Sequence, residues 1–254
     1  NKKIDILFEC IGQSDGISKK IVEKALNDKI HVITPNKALI SKHGDYLSKI
    51  AEKKKVNLEF EASVGGGIPI LRTIKEGLST NIITKVYGIL NGTCNYILSE
   101  MDKTNDNFKN VLKKAQSLGY AEPGDPKLDI NGYDTLAKVR ILSSLAFKKK
   151  ISRNNLLMEG IEFIEPKDFK IANQLNLKIK LLGITEIINN SLFERVHPCL
   201  VKKKSYIGNV DGVMNAVILE GKPVGESILQ GEGAGPGPTS SALMSDLLSI
   251  LRGN

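Results

Sequence analysis

The chain has no tryptophan, and aromatic residues make up only 5% of it. Proteins that hold single-stranded nucleic acid stack bases on aromatic side chains, and neither such a platform nor a recognition-helix motif is present. The formal charge of +8 is therefore read as solvated lysine with some attraction for a polyanion, and no nucleic-acid partner is expected. The lysine runs Lys53–Lys55, Lys148–Lys150 and Lys202–Lys204 are scattered and follow the ends of expected elements. Cysteine is scarce too: Cys10, Cys94 and Cys199 are widely spaced and odd in number. No disulfide framework or zinc pattern follows, which fits a reducing, cytoplasmic setting. No apolar run approaches the ~20 residues of a membrane span, and the first residues do not read as a signal peptide.

What is present begins with alternation. Asp5–Ile11 is a short apolar run, Ser18–Lys29 is helical, and Ile30–Thr34 is a second buried strand. Strand, helix, strand in this order belongs to a parallel α/β sheet. A dinucleotide-binding domain normally opens with a strand and a G-x-G-x-x-G turn, and neither precedes Asp5. With Asn1 in place of an initiator Met, the chain is expected to be a fragment lacking the first half of such a domain. Thr34-Pro35-Asn36-Lys37 follows the second strand, where parallel sheets bind ligands. Val56–Ala62 alternates weakly and gives way to Gly65-Gly66-Gly67, whose bare backbone allows close approach to a ligand or ion. Pro69 then opens an amphipathic helix through Leu71, Ile74 and Leu78 as its first residue. Lys85–Leu90 reads as a strand, and Asn91-Gly92-Thr93 as a turn into a helix over Asn95–Met101, with N-capping by Thr93 the plain reading. Free backbone N–H groups at such a start also suit a carboxylate. Asp106–Ser117 is a polar helix.

The densest chemistry lies in Gly119–Phe147, GYAEPGDPKLDINGYDTLAKVRILSSLAF. Glu122, Asp125, Asp129 and Asp134 crowd a loop, and a helix follows with Asn131 as its expected N-cap. From Asp134, helical spacing reaches Lys138, Ile141, Leu142 and Leu145 on one face. An exposed Asp-Lys pair at this spacing is worth only about 0.3–0.5 kcal/mol. This pair instead continues an apolar stripe, and charges buried without partners are rare outside functional sites. Burial of a lysine disfavours its charged form, which suits a proton donor.

Five segments together carry a resemblance: TPNKAL, EASVGGGIPILR, GILNGTCNYIL, GYAEPGDPKLDINGYDTLAK and GEGAGPGPTSSALMSDLL. In this order they resemble the homoserine dehydrogenases and spread over nearly the whole chain. The resemblance implies an α/β fold: a partial Rossmann-type nucleotide-binding domain, plus an α+β substrate-binding and dimerisation domain with a mixed sheet. The expected bounds are 1–64 for the former, with 232–254 packing back on it, and 65–231 for the latter. It implies NADP or NAD as cofactor, a small amino-acid substrate, no membrane, and a homodimer or homotetramer. It implies Lys138 as proton donor, Asp134 as orienting residue, and Lys37 as a cofactor-binding and catalytic lysine. Glu122, Asp129, Gly92 and Thr93 become substrate-binding, and Gly233 and Gly235 cofactor-binding. It also implies a monovalent cation, Na+, held at Glu61, Val64, Gly66 and Ile68. Gly124 is an extra residue relative to the pattern, so the register of Glu122 is open. Cys94 stands where relatives carry Thr or another small residue.

Past Ile151 the sequence reads as scaffold. Asp168–Ile179 is an expected helix, and Leu182–Ile188 and Leu192–Val196 are strands paired around Asn189-Asn190. Tyr206–Asn209 and Ala216–Glu220 are further strands with turns at Gly212 and Gly221. His197 is a packing residue, and the last helix runs from near Pro238 to Leu251. Homoserine dehydrogenase activity in threonine and methionine biosynthesis is the reading. A catalytically silent binding or regulatory protein is the alternative, separated by whether a phosphate-binding turn precedes the chain.

Overall fold

The computed structural model describes residues 4–147 and 156–253, so Lys148–Lys150 lies outside the described residues. Strand β1 (Ile6–Phe8), helix α1 (Ile17–Asn27), β2 (His31–Ile33), α2 (Lys37–Lys54) and β3 (Leu58–Glu59) form a three-stranded parallel sheet with its helices, in the order β1-β2-β3. Val22, Ala25 and Leu26 give α1 its buried face, at helical spacing. Asn36 caps α2, its side chain accepting from Leu39 N at 3.0 Å. Just past the strands the chains remain paired, Glu9 N donating to Ile33 O and Thr34 N to Glu59 O, while the Thr34 hydroxyl donates to the Glu9 carboxylate at 2.7 Å.

The segment after Gly65–Gly67 departs from expectation. Helix α3 spans only Ile70–Arg72, and Thr73–Gly77 forms a wide π turn. Pro69 is the N-cap rather than the first helical residue, and its carbonyl accepts both the amide and the hydroxyl of Thr73. Leu78 N then bonds Thr73 O, a one-residue widening that lets Ile74 and Leu78 both bury.

Strand β4 (Ile82–Ile89) feeds α4 (Gly92–Thr104), α5 (Phe108–Ser117), the single turn α6 (Lys127–Ile130) and α7 (Tyr133–Phe147). Then come β5 (Leu156–Met158), α8 (Pro166–Gln174), β6 (Leu177–Ile188), β7 (Ser191–Lys202), β8 (Met214–Lys222), β9 (Gly225–Glu232) and α9 (Pro236–Arg252). The second sheet is six-stranded in the order β5-β7-β6-β4-β8-β9. Only the β5–β7 pair is parallel, so the sheet is mixed. Asn189 and Asn190 both take positive φ, 49° and 65°, the geometry of a tight hairpin between β6 and β7.

Several boundaries differ from the sequence reading. Asn131 ends α6 instead of capping α7, which starts after Gly132 at φ 87°. The helix expected to Ile179 stops at Gln174, because Asn176 turns left-handed and β6 starts one residue later. Tyr206–Asn209 contains a 3-10 turn, Ile207–Asn209, folded over Leu182, Ile184 and Ile218. Gly221 is inside β8, paired with Gly225, and the turn follows it at Pro223. One continuous core joins both sheets, from Val22 and Leu47 through Ile97 and Met101 to Val217. Helix α9 packs on β2 and on the Glu61–Ser63 turn, with Asp246 accepting from Glu61 N at 3.0 Å. No described helix is long and apolar enough to cross a membrane.

Candidate active site

Three helix starts and one glycine loop meet around a cleft of about 510 Å³. Its lining includes Lys37 from α2, Asn91, Gly92 and Thr93 at the start of α4, and Asp129, Asp134 and Lys138 from α6 and α7. Gly233, Ala234 and Gly235 close the other side.

Asp134 is the hub. Its Oδ1 lies 2.6 Å from Lys37 Nζ and its Oδ2 lies 2.8 Å from Lys138 Nζ. Both Asp134 and Lys138 are buried, each 8% exposed, so the pair does not sit on a solvated helix face. Burial pushes the Asp134 carboxyl up, but the two ammonium groups outweigh it and hold it well below the usual carboxylate range. Lys138 also donates to the carbonyl of Leu90 at 2.6 Å. Two of its three N–H groups are thus committed to the protein. Lys37 is less enclosed. Burial lowers its pKa, but Asp134, then Asp129 and Glu122, more than reverse this and leave it raised.

Asn91 ties the carboxylates together. Its Oδ1 accepts from Cys94 N at 2.8 Å, capping α4. Its Nδ2 donates to Asp129 Oδ1 at 2.8 Å and to Asp134 Oδ2 at 3.0 Å. Thr93 therefore does not cap the helix; its hydroxyl donates to the carbonyl of Tyr120 at 2.5 Å. Asp129 has a raised pKa, from burial first and then from the charge of Asp134, with the Asn91 donor pulling it back. Cys94 is fully buried, donates to Asp129 O at 3.3 Å, and has its thiol pushed well up by burial. A thiol held neutral in this way is a packing and hydrogen-bonding group.

The cleft gathers most of the residues expected from sequence but not all. Glu122 is exposed and outside the lining, though its charge reaches Lys37. Glu61, Val64, Gly66 and Ile68 lie together on the buried loop before α3, also outside the lining. The Glu61 carboxylate accepts from Leu71 N and Arg72 N at 2.9 and 2.8 Å, which caps α3. Among the described residues no cluster of three or more His, Cys, Asp or Glu is placed to hold a metal. His197 lies on β7, outside the cleft lining.

Sequence reasoning placed Asn91 in the turn before α4 but not as the bridge between Asp129 and Asp134, and it missed Asn215, which lines the cleft from β8. Each left a signal: Asn91 has a helix-capping spacing to Cys94, and Asn215 is the one polar residue in the run VMNAVIL. A Cβ on Gly66 would lie 2.8 Å from the backbone of Gly233, and Gly235 opens α9 at φ 113°. Bare backbone thus lines one wall.

A family model described as homoserine dehydrogenase matches residues 69–248, and one described as its NAD-binding domain matches residues 1–61. The homoserine dehydrogenase of Neisseria gonorrhoeae is 43% identical over 251 residues, covering 99% of this chain and 57% of the relative. A homoserine dehydrogenase crystal structure from Thiobacillus denitrificans superposes with a TM-score of 0.94 at 43% identity, over 98% of this chain and 57% of that one. A hyperthermophilic archaeal homoserine dehydrogenase in complex with NADPH superposes with a TM-score of 0.85 at 25% identity, over 98% and 72%. The chain thus spans little more than half the length of the first two.

Proposed function

This chain belongs to the homoserine dehydrogenase family, and from that membership we propose that its protein interconverts L-aspartate 4-semialdehyde and L-homoserine with NADP(H) or NAD(H). The observation that carries the reading is the buried Asp134 carboxylate gripping Lys37 and Lys138 in one cleft. A bound nicotinamide supplies or receives the hydride. The third N–H of Lys138 faces the substrate oxygen, donating the proton as the alkoxide grows and stabilising its charge. Asp134 and the Leu90 carbonyl fix that ammonium, so no reorganisation is needed at the moment of transfer. Asp129 and Glu122 receive the substrate ammonium, and the Gly92-Thr93 helix start receives its carboxylate. Lys37 sits between substrate and cofactor, and Gly233 and Gly235 line the cofactor wall.

We assign residues 1–64 and 232–254 to the nucleotide-binding unit and 65–231 to the substrate-binding and dimerisation unit, working as a homodimer or homotetramer. Carbonyl groups of Glu61, Val64, Gly66 and Ile68 offer hard oxygen ligands to Na+, in a structural role. The test is homoserine-dependent reduction of NADP+ and NAD+ by the full natural chain beside Lys138→Ala. Turnover in the parent and a loss of at least ~100-fold in kcat for the variant, the scale of one acid–base group, are expected. A folded parent without turnover on either cofactor would refute the reaction. Equal loss of turnover and cofactor affinity in the variant would refute the proton-donor role.

A further inference from the structure

Asn215 breaks the pattern of its strand. Ala216, Val217, Ile218 and Leu219 of β8 are buried apolar residues, and Asn215, only 1% exposed, is as deep as they are. Its Oδ1 is buried without a hydrogen-bond partner, although the residue lines the cleft. A buried amide oxygen left unpaired in the free protein is unfavourable unless a ligand completes it. The backbone is also shaped around this amide. A Cβ on Gly233 would stand 2.1 Å from Nδ2 and 2.6 Å from Oδ1, so only glycine lets the amide lie flat there. On the other side a Cβ on Gly92 would stand 3.6 Å from Oδ1 and 2.6 Å from the carbonyl of Val213. The amide is thus held between the turn that opens α4 and the loop that opens α9.

Resting on the dehydrogenase reading, we propose that Asn215 recognises the carboxamide of the nicotinamide ring. The polar groups of the cleft divide by charge. Asp129 and Asp134 stand on α6 and α7, and a substrate ammonium goes to carboxylates in preference to a neutral amide. Asn215 stands beside Gly233, on the wall of bare backbone. An Asn amide offers a donor edge and an acceptor edge, and a carboxamide offers the same two in reverse. An ammonium offers donors only. Holding the carboxamide sets the rotation of the ring and hence the face turned toward Lys138, so Asn215 binds the cofactor and orients it.

The test is equilibrium binding to the full natural protein of NADP+, or NAD+ if that binds tighter, and of its 3-acetylpyridine analogue. The analogue keeps the ring carbonyl and lacks the amide N–H. The parent is expected to prefer the carboxamide cofactor by about three- to tenfold, the range for one neutral hydrogen bond. In Asn215→Ala the ratio falls to about one, and in Asn215→Asp, which keeps an acceptor oxygen, the preference persists. No preference in the parent overturns the proposal before any variant is made. A ratio unchanged in Asn215→Ala overturns it, as does weakened homoserine binding with the cofactor ratio intact. Failure of the parent to bind either dinucleotide overturns the cofactor reading itself.

Discussion

Asp134 shares one carboxylate between two cations, and Asn91 keeps a second carboxylate beside it without forcing the two apart. The Nδ2 group of Asn91 sits between Asp129 and Asp134 and donates to both, while Oδ1 caps α4. Truncating Asn91 to Ala removes the cap and the shared donor together. The cap is worth ~1 kcal/mol, and burying acceptors without their donor adds on the order of 1–2 kcal/mol. Asn91→Ala is therefore expected to lower unfolding free energy by about 2–3 kcal/mol, read by chemical denaturation. Asp129, already raised by burial and by Asp134, should rise further once Asn91 no longer donates. The acid limb of the pH profile for homoserine oxidation then moves to higher pH. A variant that loses stability with an unmoved acid limb would leave Asn91 a helix cap and nothing more.

The elements show why some of this was legible in the chain and some was not. Helix α7 was readable because Asp134, Lys138, Ile141 and Leu142 share a helical face, and all four are buried. Its start was not, because Asn131 is an equally good residue for ending the turn of α6. The β6–β7 hairpin was readable from Asn189-Asn190, whereas its strands extend to Leu177 and Lys202, and the sequence reading gives Leu177–Ile179 to the helix before them. Strand β9 alternates exposed and half-buried residues around two glycines and gave no apolar run. The glycine loop before α9 was visible, but not the reason for Gly233, which depends on an amide from β8. That dependence is testable. Gly233→Ala sets a methyl against Asn215 and is expected to destabilise by about 1–3 kcal/mol, the usual cost of overpacking. In an Asn215→Ala background the same change should cost clearly less, since distant sites add and clashing ones do not. Additive melting shifts in the double variant would mean that the two residues do not constrain each other.

Across the whole molecule, the last helix is fastened to the parallel sheet through a carboxyl that is poorly placed to be ionised. Asp246 is 1% exposed and its pKa is raised to about 7. Burial is the main cause; the Glu61 amide opposes it, Glu59 and Glu61 add repulsion, and Arg72, 3.6 Å away, compensates only in part. An unfolded Asp titrates near ~3.9. Between the two values the folded state binds the extra proton, so stability declines as pH rises. The stabilisation is fully present below about 3.9 and gone once pH has risen through the folded value. Asp246→Asn keeps an oxygen for the Glu61 N–H and carries no charge at any pH. It is expected to match the parent near pH ~3 and to exceed it near pH ~8, by on the order of 1–4 kcal/mol. For a chain of this size each kcal/mol moves the melting temperature by roughly 2–4 °C, so paired melts at the two pH values resolve it. If the variant is weaker than the parent by the same amount at both, Asp246 is ionised throughout. The ion pair with Arg72 would then be the fastening of α9.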